Sequence, residues 1–147
     1  MRALLVVHAL LATALAGAVT HLAVVALKSL TGRKPSPRLV RIYGLTCAAL
    51  CLAVVAVGLV LYPAYKVQVF AAHLKDAAPW AGELFELKEA AGLFTLPLGV
   101  GLFLLGRRKR AEDEAVPVAF AVFALALFAL VAFAFVSGLV IVAEKGL

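Results

Sequence analysis

The chain has 147 residues, of which 65% are hydrophobic and 15% are charged, and its formal net charge is +6. A soluble domain of this length needs far fewer apolar residues, so the composition excludes an ordinary water-soluble protein. The cations lie in two short segments beside long apolar stretches. This placement favours a membrane-topology signal over a nucleic-acid-binding surface as the main use of the charge.

Four apolar segments follow one another along the chain, each near or above the roughly 20 residues that cross the hydrocarbon core of a bilayer. Lipid offers backbone groups no water, so such segments are helices or barrel strands, and their continuous apolar character excludes the alternating pattern of barrel strands. We therefore predict an all-α membrane protein, a single transmembrane domain over residues 1–147 that forms a four-helix bundle. The predicted helices span about 3–27, 42–62, 80–106 and 116–143.

The first segment also has features of a secretory signal, with Arg2 at its start and a cleavage-like Ala-Leu-Ala triplet at 14–16. Its apolar stretch continues to Leu27, which is long enough to span a bilayer, so we interpret it as a retained helix. Small residues recur in it at spacings of three and four and form a stripe against which another helix can pack closely. This stripe predicts either packing inside the bundle or docking of a partner chain. It comprises Ala9, Ala12, Ala16, Ala23 and Ala26.

Two connections carry most of the cations. Segment 28–41 contains five lysines and arginines without an acid, and segment 107–115 contains four. Because lysine and arginine concentrate on the cytoplasmic side of membranes, we expect both connections in the cytoplasm and both termini outside, in a bacterial inner membrane. Gly32, Pro35 and Pro37 predict that no helix crosses the first connection.

The second connection is predicted to contain a short interfacial helix over about 64–77. Apolar residues recur there at helical spacing between polar ones, as in helices that lie on a membrane surface. Trp80, Tyr62 and Tyr65 are typical of the aromatic belt at the bilayer surface.

Charged side chains gather where this connection meets the third helix. Glu86 and Glu89 lie about one to two and a half turns inside it, and charge at that depth requires a partner, for which Lys66 is the best candidate. Two interpretations stay open: a polar site at the outer mouth of the bundle, or charges in the head-group region that fix where the helix enters. We call this group the outer polar cluster. It comprises Tyr62, Tyr65, Lys66, Trp80, Glu86, Lys88 and Glu89.

Three histidines are the candidate ligand- or cofactor-binding residues. His8 and His21 share the first helix, separated by about 20 Å of rise as haem ligands on one helix can be, but about 140° apart around its axis. Two bis-histidine haems need four histidines, and the third here is His73 in the second connection. A haem b held by His8 and His73, a bound quinone, and hydrogen-bonded structural histidines are the alternatives.

Cys47 and Cys51 lie four residues apart inside the second apolar segment. Thiols in apolar surroundings are poor metal ligands, so we interpret both as packing residues and predict no metal site. No serine, cysteine or metal constellation converges outside the membrane, so an enzyme is not predicted.

The stretch Tyr62-Pro63-Ala64-Tyr65-Lys66, followed by Pro79-Trp80 and by 84–89, resembles a pattern of uncharacterised bacterial four-helix inner-membrane proteins. This resemblance covers about a quarter of the chain and implies no activity. The opening of the first helix at 7–10, Val-His-Ala-Leu, also resembles the histidine-bearing first helix of small membrane families that handle haem or copper.

Three functions follow as hypotheses. The first is a non-catalytic accessory subunit of a larger respiratory or electron-transfer complex in the membrane, as the small size and the alanine stripe indicate. The second is a membrane redox protein that binds haem or quinone near His8, His73 and Lys66. The third is a small transporter, which the scarcity of charge inside the helices disfavours.

Overall fold

The computed structural model of the protein describes residues 2–33, 36–74, 78–107 and 115–145, with side chains for all of these except 72–74, 115–117 and 145. Each of its four α-helices contains a stretch long and apolar enough to cross a bilayer. The prediction of an all-α integral membrane protein with four transmembrane helices is therefore confirmed. The elements are α1 (Arg2–Leu30), α2 (Pro37–Tyr65), a π-helical segment (Lys66–Leu74), α3 (Pro79–Arg107) and α4 (Ala115–Lys145).

The helices form an antiparallel bundle in which each one packs against two neighbours. α1 contacts α2 and α4, and α3 contacts the same two, so α1 and α3 lie at diagonally opposite corners. Packing partners run in opposite directions along α2 and α3, where Gly44 faces Leu102 and Cys51 faces Gly99. We call the end that contains the start of α1 and the end of α4 the His8 end, and the opposite end the basic end.

α1 extends three residues beyond its predicted end and closes in a Schellman motif. Gly32 has a φ of 85°, which only glycine adopts readily. The N–H of Arg33 donates to the Lys28 carbonyl at 3.1 Å, and that of Gly32 donates to the Ser29 carbonyl at 3.3 Å. Gly32 thus ends the helix as predicted, because these two bonds satisfy carbonyls that the helix leaves free.

α2 begins at Pro37, five residues before its predicted start. Ser36 is the N-cap, and its hydroxyl accepts a hydrogen bond from the N–H of Leu39 at 3.2 Å. Pro37 occupies the first turn, where a proline loses no helical hydrogen bond and has a suitable φ. The same residue type therefore starts this helix instead of breaking it.

The separate interfacial helix predicted over 64–77 is not confirmed. Ala64 and Tyr65 belong to α2, and the chain continues from them without a break into the π-helical segment. The N–H of Lys66 donates to the Pro63 and Tyr62 carbonyls. Pro63 removes one donor from α2, and the wider turns that follow it continue the helix. Residues 75–77 lie outside the described part of the chain.

The bundle core is apolar and contains part of the alanine stripe. Ala23 and Ala26 are buried, Ala16 and Ala12 are partly buried, and Ala9 is exposed. Gly44 of α2 and Gly99 of α3 allow the backbones of these two helices to approach each other closely. The largest fully buried side chains in this region are Val19, Leu22, Cys47, Cys51, Leu102, Phe120 and Leu127.

We expect the His8 end to face away from the cytoplasm, because the two lysine- and arginine-rich connections lie at the basic end. A reporter enzyme that is active only outside the cytoplasm should be active when fused after Lys145 and inactive when fused after Arg107. A fluorescent protein that folds only in the cytoplasm should give the opposite pattern at the two positions. Activity of the first reporter after Arg107 would reverse the orientation.

Candidate functional site

Two polar side chains face the bundle axis at one level, and we call this level the His–Lys layer. Each helix contributes one residue to it, and each of these is seven residues from a buried residue of the same helix. Seven residues are nearly two helical turns, so a residue and its buried partner share the core-facing side. The layer comprises His8, Gly58, Lys88 and Gly138. The buried residues one level further in are Leu15, Cys51, Thr95 and Val131.

The His–Lys layer lies inside the membrane-spanning part of the bundle. Its four residues are about 9 to 14 Å along the helix axes from the His8 end. A helix of 29 residues is about 43 Å long and exceeds the roughly 30 Å hydrocarbon core by only about 7 Å at each end. When the helices are centred on the bilayer, the layer lies several ångströms inside the hydrocarbon, where polar side chains are costly.

His8 occupies the α1 corner of the layer and leans towards α2. Its Cε1 atom is 3.4 Å from the position that a Cβ on Gly58 would occupy. Its Nδ1 atom is buried and has no hydrogen-bond partner among the described residues. A buried ring nitrogen without a partner loses its hydrogen bonds to water and gains nothing in return, a penalty of about 1 to 3 kcal/mol.

Lys88 occupies the diagonal corner on α3 and leans towards α4. Its Cε and Nζ atoms are 3.4 and 3.7 Å from the position of a Cβ on Gly138. Within the described part of the chain, no carboxylate oxygen lies within 4.0 Å of Nζ. The layer thus combines an imidazole nitrogen without a hydrogen-bond partner and an amine that forms no ion pair within 4.0 Å among the described residues, with Glu89 as its neighbouring carboxylate.

The other members of the outer polar cluster lie between this layer and the His8 end, except Glu89, which follows Lys88 in α3. Lys66 Nζ is 3.7 Å from Glu86 Oε1 and 4.1 Å from the centre of the Phe70 ring. The Phe85 ring stacks on Tyr65 at 4.6 Å and lies 5.8 Å from Lys88 Nζ. These contacts hold the Lys66 ammonium near the protein surface, whereas the Lys88 side chain packs beside Gly138 of α4.

The remaining members of the outer polar cluster do not join the layer. Tyr62 lies 5.7 Å from Lys66 Nζ, Trp80 is half exposed, and Glu89 is partly buried near both lysines. The structure therefore divides the predicted cluster into a surface group and one residue, Lys88, that belongs with His8.

The other two histidines are not brought to His8. The Nδ1 atom of His21 hydrogen-bonds to the hydroxyl of Tyr43, and the two rings lie 5.1 Å apart on an exposed face of α1 and α2. The side chain of His73 lies outside the described residues, so a haem held by His8 and His73 stays a prediction. The described residues include no group of three or more potential metal-binding side chains.

No known protein family, curated protein or solved structure matches this chain. The resemblance to uncharacterised four-helix inner-membrane proteins therefore stays a prediction.

The two glycines of the His–Lys layer are the members that sequence reasoning missed. Gly58 and Gly138 stand in apolar segments as isolated small residues, which carry no chemical signal of their own. The seven-residue spacing from Cys51 and Val131 marks their side of the helix, but it identifies a site only once the bundle shows which helices face His8 and Lys88. Because glycine has no side chain, Gly58 and Gly138 leave room for the side chains of His8 and Lys88.

We expect Cys47 and Cys51 to resist thiol reagents in the folded protein. Both are fully buried, and Cys51 packs against Gly99 of α3, where its Sγ lies 3.5 Å from the position of a Cβ. A membrane-permeant maleimide should label less than a tenth of the thiols in mild detergent and nearly all of them after unfolding in a denaturing detergent. Rapid labelling in mild detergent would contradict the burial of this region.

Proposed function

We propose that this integral membrane protein binds a small membrane-soluble molecule at the His–Lys layer. The observation that supports this function is the buried, unpartnered Nδ1 of His8 at the level of Lys88. Ionisable residues inside a membrane are rare and mark functional sites more often than structural ones. A polar ligand group between the two side chains would supply the partners that the chain itself does not.

The position of the layer favours binding over transport. Lys66 and Glu86 lie between the His8 end and the layer, and Glu89 follows Lys88 at the level of the layer itself. Beyond the layer, the described core is mostly apolar, with Leu22, Leu102 and Leu127 fully buried and Thr95 as a buried polar residue. Passage across the membrane would need polar groups on both sides, so the geometry favours a site entered from one end or from the bilayer.

Co-purification tests this function. The wild-type protein and the double variant His8→Phe, Lys88→Met should be purified in parallel in mild detergent, and lipophilic small molecules should be extracted from both and compared by mass spectrometry. We expect at least one compound that is near-stoichiometric with the wild type and at least tenfold depleted in the variant. Identical extracts from two equally well-folded samples would contradict the proposal.

His21→Phe is the matched control for that comparison. It replaces the same residue type in the same helix, but outside the layer, because His21 bonds to Tyr43 on the exposed face. The control should retain the compound at the wild-type level. Loss of the compound in all variants alike would indicate a general effect on the protein and not a site at the layer.

A second candidate function is an accessory subunit of a larger membrane complex, and the His21–Tyr43 pair is the observation that favours it. Both side chains are polar, and in an isolated chain their face of α1 and α2 would meet lipid. A partner helix would remove the pair from hydrocarbon. Large subunits that co-purify with the wild type and are lost in His21→Phe, while the ligand stays bound, would support this function.

A further inference from the structure

We infer that the His–Lys layer takes a neutral molecule that carries carbonyl oxygens, of the quinone class, in preference to an anion. This inference rests on the proposed function and narrows it. It follows from the hydrogen-bonding groups that face the layer, the charge around them and the surfaces beside them.

The layer presents at least one donor. Lys88 Nζ donates hydrogen bonds in either charge state, whereas the Nδ1 of His8 donates in one neutral tautomer and accepts in the other. Gly58 and Gly138 add no side chain, Glu86 lies closer to the His8 end, and Glu89 follows Lys88 in α3. The ligand group that complements the Lys88 donor is an acceptor, and the sources of acceptors in a membrane are carbonyl oxygens and anionic head groups.

The charge of the region distinguishes a carbonyl ligand from an anionic one. In α3 and directly after α2, two described lysines and three described glutamates lie in and beside the layer, so their formal charges sum to −1. A neutral carbonyl accepts hydrogen bonds without adding charge. An anion would add a further negative charge at the layer, where a low dielectric makes unpaired charge expensive. These five residues are Lys66, Lys88, Glu83, Glu86 and Glu89.

Apolar side chains lie beside Lys88. Phe85 is buried one turn from Lys88, with its ring 5.8 Å from Nζ, and Tyr65 stacks against the same ring. The side of the layer next to Lys88 is therefore apolar, which suits the apolar body of a lipophilic carbonyl compound.

The test measures equilibrium binding to the full chain in lipid nanodiscs. The probes are a decyl-substituted benzoquinone with carbon-13 carbonyls, decanoate as the anion and decylbenzene as the apolar control. We expect saturable binding of the quinone, weakened tenfold or more in His8→Phe and in Lys88→Met and unchanged in His21→Phe. The infrared carbonyl band of the bound quinone should shift to lower frequency in the wild type and lose this shift in Lys88→Met.

Other outcomes separate the inference from the proposed function. If decanoate binds saturably through His8 and Lys88 while the quinone does not, the carbonyl preference is wrong and a ligand site at the layer remains. If all three probes bind equally to the wild type and both variants, the inference and the proposed function are wrong together. Circular dichroism of each variant excludes misfolding as the cause of lost binding.

Discussion

Gly44→Ala should destabilise the bundle by about 1 to 3 kcal/mol, as overpacking of a tight helix contact does. A Cβ on Gly44 would lie 2.6 Å from the carbonyl oxygen of Leu102 and 3.3 Å from the Cα of Phe103. Both are backbone atoms, so no rotamer change can relieve the contact, and α2 and α3 would have to move apart. Unfolding in a graded series of denaturing detergent, followed by circular dichroism, measures the change.

Gly92→Ala is the matched control on α3. A Cβ on Gly92 would have no neighbour within 4 Å, and neither would one on Gly17 of α1. Alanine in place of an unhindered helical glycine gains about 1 kcal/mol of helix propensity in water, so these variants should match or exceed the wild type. A Gly44→Ala protein as stable as Gly92→Ala would show that α2 and α3 are not in backbone contact.

The fold was predictable because lipid imposes a simple rule on the chain. Four apolar segments of spanning length leave little besides four helices, and short connections make neighbours antiparallel. The helix ends were less predictable. Pro37 has opposite effects at the start and inside a helix, and only the Ser36 cap shows which applies. The second helix was predicted to end at residue 62, before Pro63, but the chain continues through the wider turns of the π-helical segment.

The candidate site was predictable as two halves and not as a whole. His8 and Lys88 each stand out in the sequence because polar side chains inside apolar helices are rare. Lys88 was grouped with Glu86 and Glu89 because those residues are its sequence neighbours. On a helix, however, adjacent residues point about 100° apart, and only Lys88 shares the side of buried Phe85 and Thr95. Which residue faces His8 depends on the packing of α1 and α3 at diagonal corners.

Lys88→Met should stabilise the protein without ligand by about 1 to 3 kcal/mol while weakening ligand binding. The layer holds the lysine at membrane depth without a carboxylate oxygen within 4.0 Å among the described residues. Methionine has a similar length and flexibility, fills the same space beside Gly138 and needs no hydrogen-bond partner. A Lys88→Met protein that is more stable than the wild type but binds the ligand less tightly would show that Lys88 serves ligand binding and not packing.

Lys66→Met provides the contrast, because Lys66 is also a lysine of the outer polar cluster but is paired. Its ammonium lies 3.7 Å from Glu86 and 4.1 Å from the Phe70 ring, and it is partly exposed. Removing it should cost up to about 1 kcal/mol, the range for an exposed ion pair with a cation–π contact. If Lys88→Met were the less stable of the two variants, Lys88 would be a structural residue whose amine already has its hydrogen-bond partners. Its position would then give no reason to expect a ligand at the His–Lys layer.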